Sequence, residues 1–386
     1  MPTPSYDLAS WRSRVPLLAR SIPMNHCSHA PQLDVTRAAA EAYLDSWNRN
    51  GMDWEAWMAE VEGARADFAA LIGADAGDVA VCTSVSQATA LVASALDFTG
   101  RRRKVVASGA EFPTVGHVWL AHERLGARVA WVPARDGVVP LGAYDAAIDE
   151  DTLLVSAAHA YYQSGFRQDV RDIARRAHAR GALIYVDAYQ SLGVADVDVR
   201  ALDVDFLAGG CLKFLLGVPG IAFLYVRPGL AETLRPAATG WFGRAEPFAY
   251  RAGELTWAPG ARRFDTGTPP VPNAFVARAG LGVIREVGVP AIEEWMGVLK
   301  RRLVEGGRAR GLDVLGDAEP ERSVATTAFR CAAADGDAVE AAMRRRGVLA
   351  SARGPAVRLA PHFYSTLDDV EKALDALAHA LDEVRR

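Results

Sequence analysis

The sequence predicts an α/β fold: a large domain on a mostly parallel seven-stranded sheet, followed by a smaller α+β C-terminal domain. Three observations carry this expectation. Between about residues 78 and 226, seven short apolar runs are interspersed with helical patterns, as in a parallel sheet covered on both faces. From about residue 273 the pattern changes to a long helix and then to mixed strands and helices, which suggests a second, α+β unit. The 386 residues, 50% of them hydrophobic, are enough for a large core in two lobes.

The expected organisation is an N-terminal segment (1–30), a large domain (31–272), and a linker helix with the small domain (273–386). Helical patterns at 32–72 join the lobes. "VAVC" (79–82) precedes the helix "SQATALVASAL", and "KVVAS" (104–108) precedes "TVGHVWLAHERLG". "ARVAWVP" (127–133) leads through a loop to "LGAYDAAID", and "TLLVSAA" (152–158) precedes "DVRDIARRAHARG". "ALIYVD" (182–187), "VDFLAGG" (204–210) and "IAFLYV" (221–226) complete the sheet. One long helix is expected from roughly Asn273 to Gly306. The strands "VATTAFR" (324–330) and "AVRLA" (356–360), with the helices "DAVEAAMRRRG" and "LDDVEKALDALAHALDEVRR", build the small domain.

Composition excludes several function classes. A net charge of -4 gives no reason to expect nucleic acid or an anionic membrane as partner. "RRRK" (101–104) and "RRR" (344–346) read as solvated charges. The N-terminus lacks the basic start and apolar run of a signal peptide, and no apolar run reaches transmembrane length. Cys27, Cys82, Cys211 and Cys331 lie far apart with no CxxC pair, so a reduced cytoplasmic protein is expected. His26, Cys27 and His29 cluster in "NHCSHAP", but no second ligand group has supporting spacing, and no metal is expected. GxxxxGK[ST], GxGxxG and GxSxG do not occur, so a nucleotide loop and a hydrolase elbow lack support.

Parallel sheets bind ligands beyond the carboxyl ends of their strands, so the chemistry is sought there. Lys213 is the one charged residue in "GGCLKFLLGVPG" (209–220). The chain has four lysines against 39 arginines. A lysine kept here suggests a task that arginine cannot do, because a desolvated amine can lose its proton and attack a carbonyl. A lysine snorkelling to water from a strand end is the plain alternative. Asp187 ends "ALIYVD", 26 residues before Lys213. It can keep a pyridine nitrogen protonated, or cap a turn or helix. Ser84 and Ser86 stand at a helix start, a natural phosphate seat or a simple N-cap. Phe112, in a turn after a strand, can stack on a flat ring or fill the core. Arg358, in a small-domain strand, can clamp a carboxylate or face solvent.

As a set, "LIYVDAYQSLG", "GGCLKFLLGVPGIAFLYVRPGL", "TGWFGRAEPF", "RRFDTGTPP" and "VRLAPHFYST" resemble the class V group of fold-type I pyridoxal-phosphate (PLP) enzymes, and within it kynureninase and its relatives. The resemblance spans nearly the whole chain and is more specific for the cofactor than for the reaction. It implies that Lys213 carries the cofactor as a Schiff base and that Asp187 pairs with the pyridine nitrogen. It places Gln190 near the phenolic oxygen, Phe112 on the ring, Val85 and Ser86 around the phosphate, and Tyr162 beside the cofactor. Glycines around Lys213 would let backbone pass close to the cofactor. A homodimer is implied, with sites at the interface, where Trp241 and Thr268 reach the phosphate of the other subunit. Arg358 would hold the substrate carboxylate, with Asn25 nearby.

Departures from the pattern bear on the reaction. Kynureninase has a tyrosine just before its lysine, where this chain has Leu212; it has a histidine at the position of Gln190 and an asparagine at that of Thr268. Cysteine desulfurases place a histidine where Phe112 stands, and a nucleophilic cysteine on a small-domain loop. Here that loop, "LASARGPA", has none, and Cys331 is expected at a strand end. The resemblance thus implies an enzyme acting on a small amino acid, with lyase-type cleavage of a C–C or C–S bond through a quinonoid intermediate. A class V aminotransferase or epimerase is the alternative. An intact Lys213 and Asp187 argue against a non-catalytic binding protein on this fold.

Overall fold

All seven apolar runs become strands of one sheet in the computed structural model, which describes residues 2–316, 322–332 and 334–385. They are β1 Val79–Cys82, β2 Lys104–Ser108, β3 Arg128–Val132, β4 Thr152–Ala158, β5 Leu183–Asp187, β6 Phe206–Gly210 and β7 Ala222–Val226. Their order is β1-β7-β6-β5-β4-β2-β3. Strand β7 runs antiparallel to both neighbours, and every other pair is parallel. The carboxyl ends of all strands but β7 therefore share one edge. The alternation of side chains explains the double burial. In β5, Ile184 and Val186 enter one core while Tyr185 enters the other, beside Phe206 and Ala208 of β6.

Helices α1 Asp34–Asn50 and α2 Trp54–Leu71 fall where the pattern at 32–72 places them. Helices α3 Val85–Ala95 and α4 Pro113–Ala121 follow β1 and β2, and α5 Val170–Ala179 covers the sheet before β5. The expected single helix at 273–306 is two: α6 Val271–Val287 and α7 Val289–Ala309. Gly288 breaks it with φ at +87°, a conformation that side chains avoid, and Pro290 then starts α7 where its missing N–H costs nothing.

The small sheet has the order β10-β11-β9-β8 and is antiparallel throughout, with β8 Val314–Leu315, β9 Thr327–Arg330, β10 Ser351–Arg353 and β11 Ala356–Leu359. Strand β9 starts three residues later than the run "VATTAFR" suggests, and the expected loop "LASARGPA" contains β10. Helix α8 Gly336–Arg345 packs against it, and α9 Leu367–Arg385 packs against α7 and α8.

The N-terminal segment crosses to this part of the chain. Ile22–Pro23 pairs in parallel with Val348–Leu349, and Asn25 bridges Ala360. His26 Nδ1 donates to the Ala360 carbonyl (2.7 Å), and its Nε2 accepts from the Tyr364 hydroxyl (2.6 Å). His362 Nε2 donates to the carbonyl of Phe214 (2.9 Å), the residue after Lys213. One buried hub thus holds the N-terminal segment, the small sheet and the lysine loop together.

Lys104, read above as a solvated charge, is buried at the start of β2. Its Nζ donates to the Ala147 carbonyl (2.6 Å) and pairs with Asp149 (2.6 Å). All four cysteines are free and buried. Among the described residues no cluster of side chains could hold a metal ion, and no helix is long and apolar enough to cross a membrane.

Candidate active site

Segments far apart in sequence meet beyond the carboxyl edge of the sheet around a mostly apolar cavity of about 280 Å³. Its wall includes the start of α3 (Val85, Ser86), Phe112 before α4, Tyr162 after β4, Asp187 and Gln190 after β5, and Lys213 after β6. Each stands there because its strand ends at the same edge.

Lys213 is partly open to the cavity. Its Nζ lies 4.1 Å from the centroid of the Tyr189 ring and 5.7 Å from that of Phe112. Burial lowers the Lys213 pKa to about 8, against the pull of the Asp187 carboxylate. Asp187 is buried, and its Oδ1 accepts the Tyr189 N–H at 2.9 Å. Burial raises the Asp187 pKa, while the Tyr189 N–H and Lys213 oppose the shift. Gln190 Nε2 donates to the Cys27 carbonyl (3.1 Å), and its buried Oε1 has no partner among the described residues.

At the start of α3, Ser84 Oγ accepts the Gln87 N–H (3.1 Å), and Thr83 donates twice to Gln87 Oε1 (2.7 and 2.9 Å). Ser86 Oγ pairs with Thr114 Oγ1 (2.7 Å). The N–H groups of Val85 and Ser86 belong to the first turn, which has no carbonyls of its own helix to bond, at the positive end of the helix dipole. The Phe112 ring stands edge-on to Tyr162, with centroids 5.2 Å apart.

Arg358 does not face solvent. It is 1% exposed, with Nη1 donating to the Tyr162 carbonyl (2.6 Å) and Nη2 to Ser28 Oγ (2.8 Å) and Ser351 Oγ (2.7 Å). The other buried arginines, Arg65 and Arg263, have carboxylate partners. Arg358 has none among the described residues, and burial lowers its pKa.

Four expected residues do not line this cavity: Arg358, buried behind Tyr162, and three others. Asn25 is engaged through its backbone with Ala360. Trp241 belongs to a surface aromatic group, stacked on Trp54 at 5.9 Å and edge-on to the exposed Phe248; its Nε1–H donates to the Pro247 carbonyl. Thr268 is exposed, beside a separate small hollow near Asp265.

The glycines before Lys213 serve packing rather than close approach of a ligand. A Cβ on Gly210 would lie 2.5 Å from the Tyr189 ring; one on Gly209 would overlap Leu192. Tyr189 itself is a residue that sequence reading passed over. The signal was the pairing of a bulky residue after Asp187 with a glycine at the end of the next strand. Glu111 was also passed over. It is buried just before Phe112, where Oε1 accepts the Ser108 N–H (2.8 Å) and Oε2 the Ser156 hydroxyl (2.7 Å). Burial raises its pKa to about 7.

Comparison with known proteins agrees with this geometry. The family model described as Aminotransferase class-V matches residues 29–370. The uncharacterized aminotransferase YcbU of Bacillus subtilis (strain 168) is 37% identical over 370 residues, covering 95% of this chain and 96% of its own. A kynureninase of Deinococcus radiodurans is 38% identical over 255 residues, 65% of this chain and 60% of its own. Among solved structures, an apo cysteine desulfurase from Thermococcus onnurineus NA1 has a TM-score of 0.88 at 22% identity, over 99% of both chains. A variant of C-DES with glycine covalently linked to its PLP cofactor has a TM-score of 0.87 at 18% identity, over 95% of this chain and 98% of its own. At these identities the structures speak for the fold.

Proposed function

This chain belongs to the class-V aminotransferase family, and on that premise we propose that it is a PLP-dependent enzyme acting on a small amino acid, with lyase-type cleavage as its reaction. The observation that carries the reading is the meeting of Lys213, Asp187 and the open start of α3 around one cavity. The residues present fit the cofactor. A phosphate suits the free N–H groups of Val85 and Ser86, with the Ser86 hydroxyl beside them. The Gln190 amide, with one buried end unpartnered, suits a polar ring substituent. Asp187 is placed to accept a hydrogen bond from a ring nitrogen, and Phe112 and Tyr162 to cover the ring.

When bound, PLP supplies an aldehyde that takes up an amine and a ring that withdraws electrons from the substrate's α-carbon. Lys213, with its pKa near 8, offers an uncharged Nζ at mildly alkaline pH, both to hold the cofactor and to take a proton from the α-carbon. The ring of Tyr189 then lies under the charged Nζ. Asp187 stays ionised where a positive ring nitrogen faces it, because that charge offsets its desolvation. Arg358 orients the substrate carboxylate, which supplies the anion its buried guanidinium lacks. Asn25 is assigned next to that carboxylate, since it bridges Ala360, two residues beyond Arg358. A second copy of the chain is proposed to complete the site with Trp241 and Thr268; the exposed aromatic group around Trp241 supports such an interface.

Purified protein reconstituted with PLP should absorb in the visible, and borohydride should fix the cofactor to Lys213, as peptide mapping would reveal. Lys213→Arg keeps the charge and should abolish both signals. Failure of the wild-type chain to take up PLP would overturn the reading. The likeness to kynureninase supports cleavage, whereas the aminotransferase name of YcbU favours a second reading, transamination. An amino-acid panel separates them. Release of ammonia or a fragment without added keto acid supports cleavage; turnover that requires a keto-acid acceptor supports transamination.

A further inference from the structure

Arg358 has a neighbour of like charge. Arg353 ends β10, and its Nη2 lies 3.3 Å from Ser28 Oγ, the same oxygen that Arg358 Nη2 meets at 2.8 Å. Two guanidinium groups therefore converge on one hydroxyl. Arg353 is held there by the hairpin, which pairs it with Ala356 across the two-residue turn Gly354–Pro355, with Gly354 at φ +56°. Its Nη1 donates to the Ala352 carbonyl (2.6 Å).

Neither arginine has a carboxylate partner among the described residues. The nearby Glu340 is committed elsewhere: Oε2 accepts the Ala352 N–H (2.7 Å), and Oε1 pairs with Arg344 (3.3 Å). Two positive charges this close repel, the more so beside a buried group. Both also lie close enough to Lys213 to disfavour its charged form, although neither lines the cavity itself. Where this chain buries an arginine for structure alone, it supplies the acid, as Asp265 does for Arg65 at 2.9 Å. Here the buried Arg358 has no acid among the described residues, and the exposed Arg353 adds a second positive charge beside it. The α-carboxylate of an amino acid neutralises one guanidinium, and the other remains.

We propose that Arg353 is a specificity-determining residue that, with Arg358, selects a dicarboxylic amino acid whose short side chain ends in the second carboxylate. The spacing requires a short side chain, because both guanidinium groups reach a single oxygen. This inference rests on the reading of the site as one for an amino acid.

The test uses the PLP-reconstituted chain and two acids without an amine, succinate and butyrate, titrated by calorimetry. Succinate should bind about tenfold or more tightly than butyrate, as expected for one added charge-assisted pair. Arg353→Gln, an exposed position whose change spares the fold, should remove that advantage and leave butyrate unaffected. Arg358→Gln should weaken both acids. In turnover, Arg353→Gln should raise KM for aspartate about tenfold or more with little change in kcat. Equal affinity for the two acids, no binding of either, or a succinate preference that survives Arg353→Gln would overturn the proposal. Cofactor uptake is followed separately by absorbance: a chain that takes up PLP but shows no succinate preference overturns this proposal alone, whereas a chain that takes up no PLP overturns the earlier reading and this one with it.

Discussion

At Lys213 two effects oppose each other. Burial favours the neutral amine; Asp187 and the face of Tyr189 favour the ammonium. In cofactor-free protein, acetylation of Lys213 should be half-maximal near pH 8, well below the value of about 10.4 for a free lysine. Tyr189→Leu should move that midpoint down by about half a unit, because it removes a contact made only by the charged form. Tyr189→Phe should leave it in place, and mass-spectrometric labelling against pH reads both. Arg358→Lys should lower kcat/KM by about a hundredfold, since one ammonium cannot replace the planar fork that also holds Ser28, Ser351 and Tyr162. The scarcity of lysine pointed to Lys213, but it is weaker evidence than it looked. Lys104 and Lys300 are buried too, and each donates to a backbone carbonyl, Ala147 and Thr326. What separates Lys213 from them is that Asp187, Gln190, Phe112 and the start of α3 line the same cavity, which composition does not record.

At the scale of elements, Glu111 sits in the turn from β2 into α4. Glu111 braces it by accepting from Ser108 and Ser156, and its raised pKa carries a linkage consequence. The folded state holds the Glu111 proton up to about pH 7, whereas the unfolded chain loses it near pH 4.5. This group's stabilising share is therefore complete below pH 4.5 and is lost as pH rises through 7. Glu111→Gln keeps both hydrogen bonds and should remove that loss, raising stability above pH 7 by up to about 3 kcal/mol, read by chemical denaturation at several pH values. At the end of β6, Gly210→Ala should cost about 1–3 kcal/mol or displace Tyr189, because its methyl would lie 2.5 Å from that ring. The strands were legible because burial on both faces leaves continuous apolar runs, and "ALIYVD" and "VDFLAGG" became β5 and β6. The break at Gly288 was hidden inside a helical period, and the role of Gly210 required knowing which ring lies opposite.

For the molecule as a whole, three buried histidines set the response to acid. Burial lowers His26 to about pKa 4 and both His159 and His362 to about 3. Each would be protonated near pH 6.5 in the unfolded chain, so stability is complete above that value and falls as pH drops from 6.5 toward 4. Each contributes on the order of 3 kcal/mol by pH 4, and together they outweigh the opposite drift of Glu111. The melting temperature should fall steeply across this window; a flat profile from pH 7 to 4 would contradict the linkage. Loss of the fold should also free the lysine loop, since His362 holds Phe214. By itself the sequence determined the seven strands, their alternation with helices, and the placing of Asp187 and Lys213 at strand ends, because local apolar periodicity encodes these features. Only the tertiary structure decided that Arg358 is buried with no acid beside it among the described residues, that Arg353 shares its hydroxyl, and that Tyr189 lies beneath Lys213. Those contacts join residues 28, 189, 213, 353 and 358, and convergence over such separations depends on strand order and on docking of the N-terminal segment, which no local pattern specifies.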